Sequence, residues 1–408
     1  MVSPELLSLM PQVVAWRRHL HQYPELSHQE HATAAWVDAA LRALPDMQVF
    51  RPTPTSVLGV LQGQAGPGAT VLLRADLDAL PIQEQTQLPY ASVHAGVMHA
   101  CGHDGHTAAL LGAAHLLHAQ RHLLRGELRL LFQHAEEAAP SGARELVSAG
   151  VMGGVDRIVG FHLDTQLPLG RVAVQSGAIM AAPDTFEITV QGQGGHAGWP
   201  QASVDPVPIG AMIVLGLQQV ASRLNDPLEP LVLSITTFHA GQALNVTPDQ
   251  ALLGGTVRTL SPVLRERVET QLRQITASIC AGYGASCTVL YERGSDAVVN
   301  DAELVKRYRQ LVEQELGESV LMDVPPEMGA EDFSEFLRHA PGVYFLVGAG
   351  NAARGITAPH HHPRFTFDEE ALTPLVQLLV AGGFSLTGEA SSEARLRNGP
   401  ASLEEEIR

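Results

Sequence analysis

The sequence predicts an α/β protein: a doubly wound, mostly parallel sheet that carries an inserted ferredoxin-like α+β domain. Three observations predict it. Short β-rich apolar runs alternate with amphipathic helices through the first third of the chain. Beyond Pro183 the order becomes β-α-β-β-α-β. Helix–strand alternation then resumes with "DAELVKRYRQLVEQELG" and "GVYFLVGAG".

The elements follow in order. An amphipathic helix runs through "PQVVAWRRHLHQ" and a second through "EHATAAWVDAALRAL". The runs "SVLGVLQG", "ATVLLRADLDALPI", "GELRLLFQHAEEA" and "VDRIVGFHLD" are short enough, and apolar enough, for buried strands. Between the second and third lies "MHACGHDGHTAALLGAAHLL", an Ala/Leu-rich helix with a polar start. These segments and the late alternation place a discontinuous catalytic domain over residues 1–183 and 296–387. In the insertion, residues 184–295, "DTFEITVQGQGG" is a strand and "DPVPIGAMIVLGLQQVASRL" a helix. "LVLSITTFHAG" and "QALLGGTVRTL" are two strands joined by a turn at "TPD". A long helix in "PVLRERVETQLRQITASICAGYG" and a strand in "ASCTVLYERG" close the unit. The polar tail, residues 388–408, lacks an apolar period and is expected to be disordered.

Composition narrows the class. At 408 residues the chain suits two domains. A formal net charge of −17 argues against nucleic acid or an anionic membrane as the partner. Three cysteines cannot build a disulfide framework and suit a reducing compartment. The amino-terminal stretch reads as helix rather than signal peptide, and no run of about 18 uninterrupted apolar residues occurs. A cytoplasmic protein is the expectation.

Chemistry collects where the predicted strands end, the usual place for a site in an open α/β sheet. "VLLRADLD" ends in Asp76 and Asp78, "LRLLFQHAEE" in Glu136 and Glu137, and "RIVGFHLD" in His162 and Asp164. Cys101, His103, Asp104 and His106 stand at a helix entry, and a late loop carries "APHHHPRF". Thiolate, imidazole and carboxylate together suit a borderline divalent metal such as zinc, manganese, cobalt or nickel, not magnesium or calcium. The ligands exceed what one tetrahedral ion needs, so two adjacent ions are expected. A helix start and a metal would both favour thiolate at Cys101. Of the adjacent glutamates, one can bind metal while its neighbour moves protons.

The motifs "RRHLHQYPELSHQE", "LLRADLDALPI", "MHACGHDGHTAALLGAA", "FQHAEE", "GGHAGWPQASVDPV", "GQALNVTPD", "GTVRTL", "GAEDFSEFL" and "HHHPRFTFDEEAL" span about residues 14–380. With them the sequence resembles the di-metal aminoacylase–carboxypeptidase peptidase family. Within that family it is most similar to the amidohydrolase branch, which holds hippurate hydrolases, N-acetyl-diaminopimelate deacetylases and indole-acetyl-amino-acid hydrolases. The resemblance implies Cys101, His103, Glu137, His162 and His361 as metal ligands, with Cys101 the bridge. Among the three late histidines, the family's His-x-Pro spacing selects His361. Glu136 takes the place of the general acid/base. Asp76, Asp104 and His106 become residues that hold the ligands. The inserted domain matches a lid and dimerisation domain that brings His196, Asn245 and Arg258 to the substrate, His196 from the partner subunit of a homodimer. Arg258 suits a substrate carboxylate through a bidentate fork, and His196 and Asn245 suit an oxyanion or carboxylate.

Four departures bear on substrate preference: His134 in "QHAEE", where the family often has proline, "HLDTQLP", where Val-Trp-Pro commonly follows the metal histidine, Gln201, where a histidine is usual, and the bulky Trp199. The function implied is metal-dependent hydrolysis of N-acyl amino acids, a small-molecule substrate, with two manganese or zinc ions and cobalt or nickel as alternatives. The competing readings are a di-metal exopeptidase, a Cys101 thiol-nucleophile amidase and a non-catalytic metal-binding protein.

Overall fold

A computed structural model describes residues 3–388. Residues 389–408, nearly all of the expected disordered tail, lie outside the described residues. The chain divides into two units: Met1–Gly177 with Val299–Val324 and Glu335–Arg408, and Ala178–Val298 with Pro325–Ser334.

In the first unit, helix α1 (Pro4–Gln22) starts where the Ser3 side chain accepts the Leu6 amide and Pro4 takes the first helical position. Its Leu6, Met10, Val13, Arg17, Leu20 and His21 recur every three or four residues and are buried. Helix α2 (His31–Arg42) buries Ala34, Val37 and Leu41 by the same rule. Strands β1 (Gln48–Phe50), β2 (Val57–Gln62), β3 (Thr70–Asp76), β4 (Glu127–Gln133), β5 (Arg157–Pro168) and β6 (Val172–Ala173) belong to one sheet. Helix α3 (His103–Ala119) falls between β3 and β4, and α4 (Gly142–Ser148) between β4 and β5.

The second unit contains β7 (Gly177–Met180), β8 (Ala182–Gln191), β9 (Gly195–His196), α5 (Pro206–Gln219), β10 (Leu231–Ala240), β11 (Val246–Thr247), β12 (Gln250–Thr259), α6 (Pro262–Gly282) and β13 (Ser286–Arg293). The chain continues through β14 (Val298–Asn300), α7 (Ala302–Leu316), α8 (Ser334–Leu337), β15 (Gly342–Gly350) and α9 (Leu372–Thr387).

The first sheet has the order β1-β2-β4-β3-β5-β15-β6. The expected parallel pairing holds across its centre, β4-β3-β5-β15. The outer pairings β1–β2, β2–β4 and β15–β6 are antiparallel, so the sheet is mixed. Central strands covered on both faces need continuous apolar runs, and all nine residues of β15 are buried. Helix α3 is buried on nearly every side because α1 and α9 pack against it as well as the sheet.

The second sheet is antiparallel with order β10-β12-β8-β13, the ferredoxin-like arrangement. Helices α5 and α6 pack on it through Ile209, Ile213, Leu217, Leu264, Val268 and Leu272. The expected turn at "TPD" is part of a longer loop, because Val246 and Thr247 leave the hairpin to pair with Gly195 and His196. Two helical stretches, Pro206–Leu224 and Glu369–Thr387, are long and apolar enough to cross a membrane by composition. Ile213 and Leu217 in one and Leu375, Val376 and Leu379 in the other lie in the cores of the two units, while the first stretch also exposes Val207, Leu215 and Leu224.

One buried ion pair anchors the second unit. Arg265 donates to both carboxylate oxygens of Asp184 at 2.5–3.1 Å, and the Tyr291 hydroxyl donates to the same carboxylate at 2.8 Å. Removing one partner strands the other charge, at a cost of about 3–5 kcal/mol. D184A is therefore expected to lower the unfolding free energy by about that amount in urea titration, and a loss below about 1 kcal/mol would show that the pair contributes little.

Candidate active site

Strand β3 delivers two buried carboxylates. Asp76 Oδ1 accepts from His106 Nδ1 at 2.7 Å, and its Oδ2 accepts from Arg74 at 2.8 Å. Asp78 reaches three segments at once. Its Oδ1 lies 3.2 Å from His103 Nδ1, and its Oδ2 accepts from the Ser27 hydroxyl at 2.7 Å and from the Glu137 amide at 3.0 Å. Burial alone would raise both carboxyl pKa values. Histidine charge and hydrogen bonds outweigh it and hold both below the usual range, Asp76 well below.

The start of α3 is set by glycine. Gly102 caps the helix with a φ of +94°, in the left-handed region. At Gly105 a Cβ would stand 2.5 Å from Phe367 and 2.7 Å from Leu163, so only glycine lets the first turn approach β5 this closely. The expected holding role of Asp104 toward a ligand differs from what is observed. Its Oδ2 lies 2.8 Å from Arg17 Nε and 2.8 Å from His21 Nδ1, pinning the helix start to α1. His106 donates through Nδ1 to Asp76 and accepts the Leu163 amide at Nε2, 2.9 Å away. Both nitrogens are spent, so His106 positions β5 and is not an open ligand.

His103 is the reverse. Its Nδ1 donates to the Asp78 carbonyl at 3.0 Å, while its buried Nε2 has no hydrogen-bond partner. Burial works against an imidazolium there, but Asp76, Asp78 and Glu137 prevail and raise the pKa to about 10. The environment is built for a cation at this ring, whether a proton or a metal.

At the end of β4 the chain turns through Ala135, whose φ of +47° is unusual for a residue with a side chain. The amide of Ala135 donates to buried Glu30 at 2.8 Å. Burial raises the Glu30 pKa to about 7. This turn presents Glu136 and Glu137 in succession. The Glu137 Oε1 atom is buried without an aligned hydrogen bond, 3.1 Å from His361 Nε2 and 4.0 Å from His103 Nε2.

His162, on β5, donates through Nδ1 to the Leu163 carbonyl at 2.9 Å and turns Nε2 toward Cys101 Sγ, 3.4 Å away. Burial keeps its pKa well below normal, so the ring is neutral and its Nε2 lone pair is available. Two histidines of the late loop reach the cluster. His361, half exposed with a φ of +63°, meets Glu137, which raises its pKa. His360, passed over in the sequence reading, lies 3.8 Å from Cys101 Sγ and 3.6 Å from Asp164. The only sequence signal for it was the histidine triplet itself.

Ligand atoms of Cys101, His162 and His360 lie within 4.8 Å of one another, and so do those of Cys101, His103 and Glu137. The two trios share the thiol. Burial, then Glu137, Glu136 and Asp76, push the Cys101 pKa well above normal. The thiolate expected from the sequence is thus disfavoured by the protein's own groups and requires a cation. An orphaned imidazole nitrogen, an unsatisfied carboxylate oxygen and a shared thiol form a donor set that fits two adjacent divalent transition-metal ions.

His196, Asn245 and Arg258 lie in the second unit. His196 stacks on Trp199 with ring centroids 4.7 Å apart, and its strand pairs with Val246, next to Asn245. The carbonyl of Asn245 accepts the Ala197 amide at 3.1 Å. Arg258 stands near the other end of β12, roughly 26 Å along the strand from Gln250 at about 3.3 Å per residue. The unit brings His196 and Asn245 together and holds Arg258 apart from them. Gln201, in the turn that follows Trp199, is exposed.

Asp78 should govern metal affinity, because it sets both the His103 ring and the Glu137 backbone. D78N is expected to weaken zinc or manganese binding about 10–100-fold in a chelator competition, with the circular dichroism spectrum retained. Unchanged affinity would contradict this arrangement.

Known proteins share this architecture. Residues 72–381 match the model of peptidase family M20/M25/M40. An N-acyl-L-amino acid amidohydrolase of Geobacillus stearothermophilus is 50% identical over 288 residues, 71% of this chain and 78% of the relative. Thermostable carboxypeptidase 1 of Saccharolobus solfataricus is 41% identical over 378 residues, 91% of this chain and 95% of the relative. The solved structure of the Bacillus subtilis YXEP protein, described as a dinuclear metal binding peptidase from the M20 family, superposes with a TM-score of 0.83 at 36% identity. That superposition covers 93% of this chain and 99% of the other. With a family match over most of its length and relatives this similar, the chain belongs to peptidase family M20/M25/M40.

Proposed function

We propose that this protein is a metal-dependent amidohydrolase that cleaves the amide bond of N-acyl amino acids. The observation that carries the reading is the Glu136–Glu137 step, which sets one carboxylate among the candidate ligands and the other beside it in sequence. Cys101, His103, Glu137, His162 and His361 would hold two ions, manganese or zinc with cobalt or nickel as alternatives, and His360 adds a further donor. When bound, such ions supply Lewis acidity and make water a stronger acid. Glu136 takes the proton of the attacking water and returns it to the departing amino-acid nitrogen. Arg258 pairs with the substrate carboxylate, and His196 and Asn245 donate hydrogen bonds to the oxyanion or to that carboxylate. The distance between Arg258 and the His196–Asn245 corner supports a homodimer through the second unit, in which the partner subunit supplies His196. Three free thiols fit a cytoplasmic location.

A second reading, an exopeptidase, is favoured by the similarity to a carboxypeptidase. The thiol-nucleophile reading has no support in the geometry, since the Cys101 thiol faces Glu137, Glu136 and Asp76, which disfavour the reactive thiolate. The test pairs E136Q with a panel of acetyl-, benzoyl- and indole-acetyl-amino acids and unblocked dipeptides. The variant is expected to lose kcat by about 10²–10⁴-fold at unchanged metal content. Wild-type turnover by E136Q would remove Glu136 from its role, and a preference for unblocked dipeptides would favour the exopeptidase.

A further inference from the structure

A second group of metal-ligating side chains lies in the first unit and shares no residue with the Cys101 cluster. It contains His134, the departure from the family pattern at "QHAEE". A ring nitrogen of His28, one of His134 and a carboxylate oxygen of Glu145 lie within 4.8 Å of one another. His134 Nε2 is 3.0 Å from Glu145 Oε2, and the two imidazole rings meet edge to face with centroids 5.6 Å apart. We propose that His28, His134 and Glu145 form a further zinc site.

The surroundings suit ligand histidines. A metal-bound imidazole gives the nitrogen turned away from the ion a hydrogen-bond partner that sets the ring. His134 Nε2 is itself hydrogen-bonded to Glu145, and an ion between the two would take the place of that shared proton. His28 Nε2 donates to the Pro140 carbonyl at 3.0 Å, and His134 Nδ1 lies 3.4 Å from the Thr53 hydroxyl. His134 is buried and His28 half-buried, while Glu145 is exposed, so the site is open to an ion from solvent. His28 also holds a φ of +64°, a conformation with a cost for a residue with a side chain, and one that the site would repay. Two imidazoles and one carboxylate form a tetrahedral zinc set once a water fills the fourth position.

The ion would join three segments: the loop before α2, the turn after β4 and helix α4. The middle one leads directly into Glu136 and Glu137. Zinc here therefore stiffens the segment that carries the proton-transfer carboxylate without touching substrate, a positioning role.

The test counts metal. Full-length protein is stripped with chelator, reloaded with zinc, desalted and assayed for zinc per chain. H28A and H134A are each expected to lose one equivalent relative to wild type. Cobalt reloading separates this loss from damage to the Cys101 cluster. The near-ultraviolet thiolate-to-cobalt absorption is expected to persist in H28A while the visible bands of the nitrogen- and oxygen-bound ion weaken. If H134A does not fold, H28A and E145Q decide. A folded H28A that keeps the wild-type zinc count, or whose lost equivalent takes the thiolate band with it, overturns the proposal.

Discussion

Asp78 is the constraint on which the rest of the site depends. A fully buried carboxylate has to be satisfied from all sides, and this one takes its partners from the loop before α2, the start of α3 and the turn after β4. Segments far apart in sequence are thereby set against one another at the end of β3. His103 receives its orientation and tautomer from the carbonyl and the carboxylate of Asp78 together, and Glu137 its backbone position from the same carboxylate. The parallel centre of the sheet makes this possible, because β3, β4 and β5 all end at one edge.

The charge balance follows from that geometry. Asp76, Asp78, Glu136 and Glu137 surround a thiol and several imidazoles, and Arg74 is engaged by Asp76 and Gln133. Such a cluster raises the pKa of a thiol and of His103, as it must when negative charge is concentrated away from water. Divalent cations held here would relieve both effects at once, standing where the proton sits on His103 Nε2 and making the thiolate stable. His106 stands apart from this exchange, since both its nitrogens already hold the strands in place.

Much of this was legible in the sequence because the chemistry sits at strand ends and in short motifs. "RADLD", "CGHDGH" and "HAEE" place their residues by local connectivity, and apolar runs reveal the strands between them. What was not legible depends on distant segments. Asp104 reads as one of the residues that hold the ligands, yet it turns to Arg17 and His21 on α1, a contact that no local spacing encodes. The histidine triplet offers no register of its own, and both His360 and His361 reach the cluster, one beside Cys101 and the other beside Glu137. The outer antiparallel strands look like the central ones in sequence, because burial selects the same apolar residues in each. The "TPD" turn was misread for a similar reason: Val246 and Thr247 pair with a strand some fifty residues earlier.

The most direct measurement of the central claim is anomalous diffraction, at the metal absorption edge, from crystals of the metal-loaded protein. The account predicts a peak about 2.0–2.2 Å from His103 Nε2 and from a Glu137 oxygen. In the same map Asp78 still bridges His103 Nδ1 and the Glu137 amide. A metal ligated by His106, or a His103 ring turned away from the peak, would contradict it.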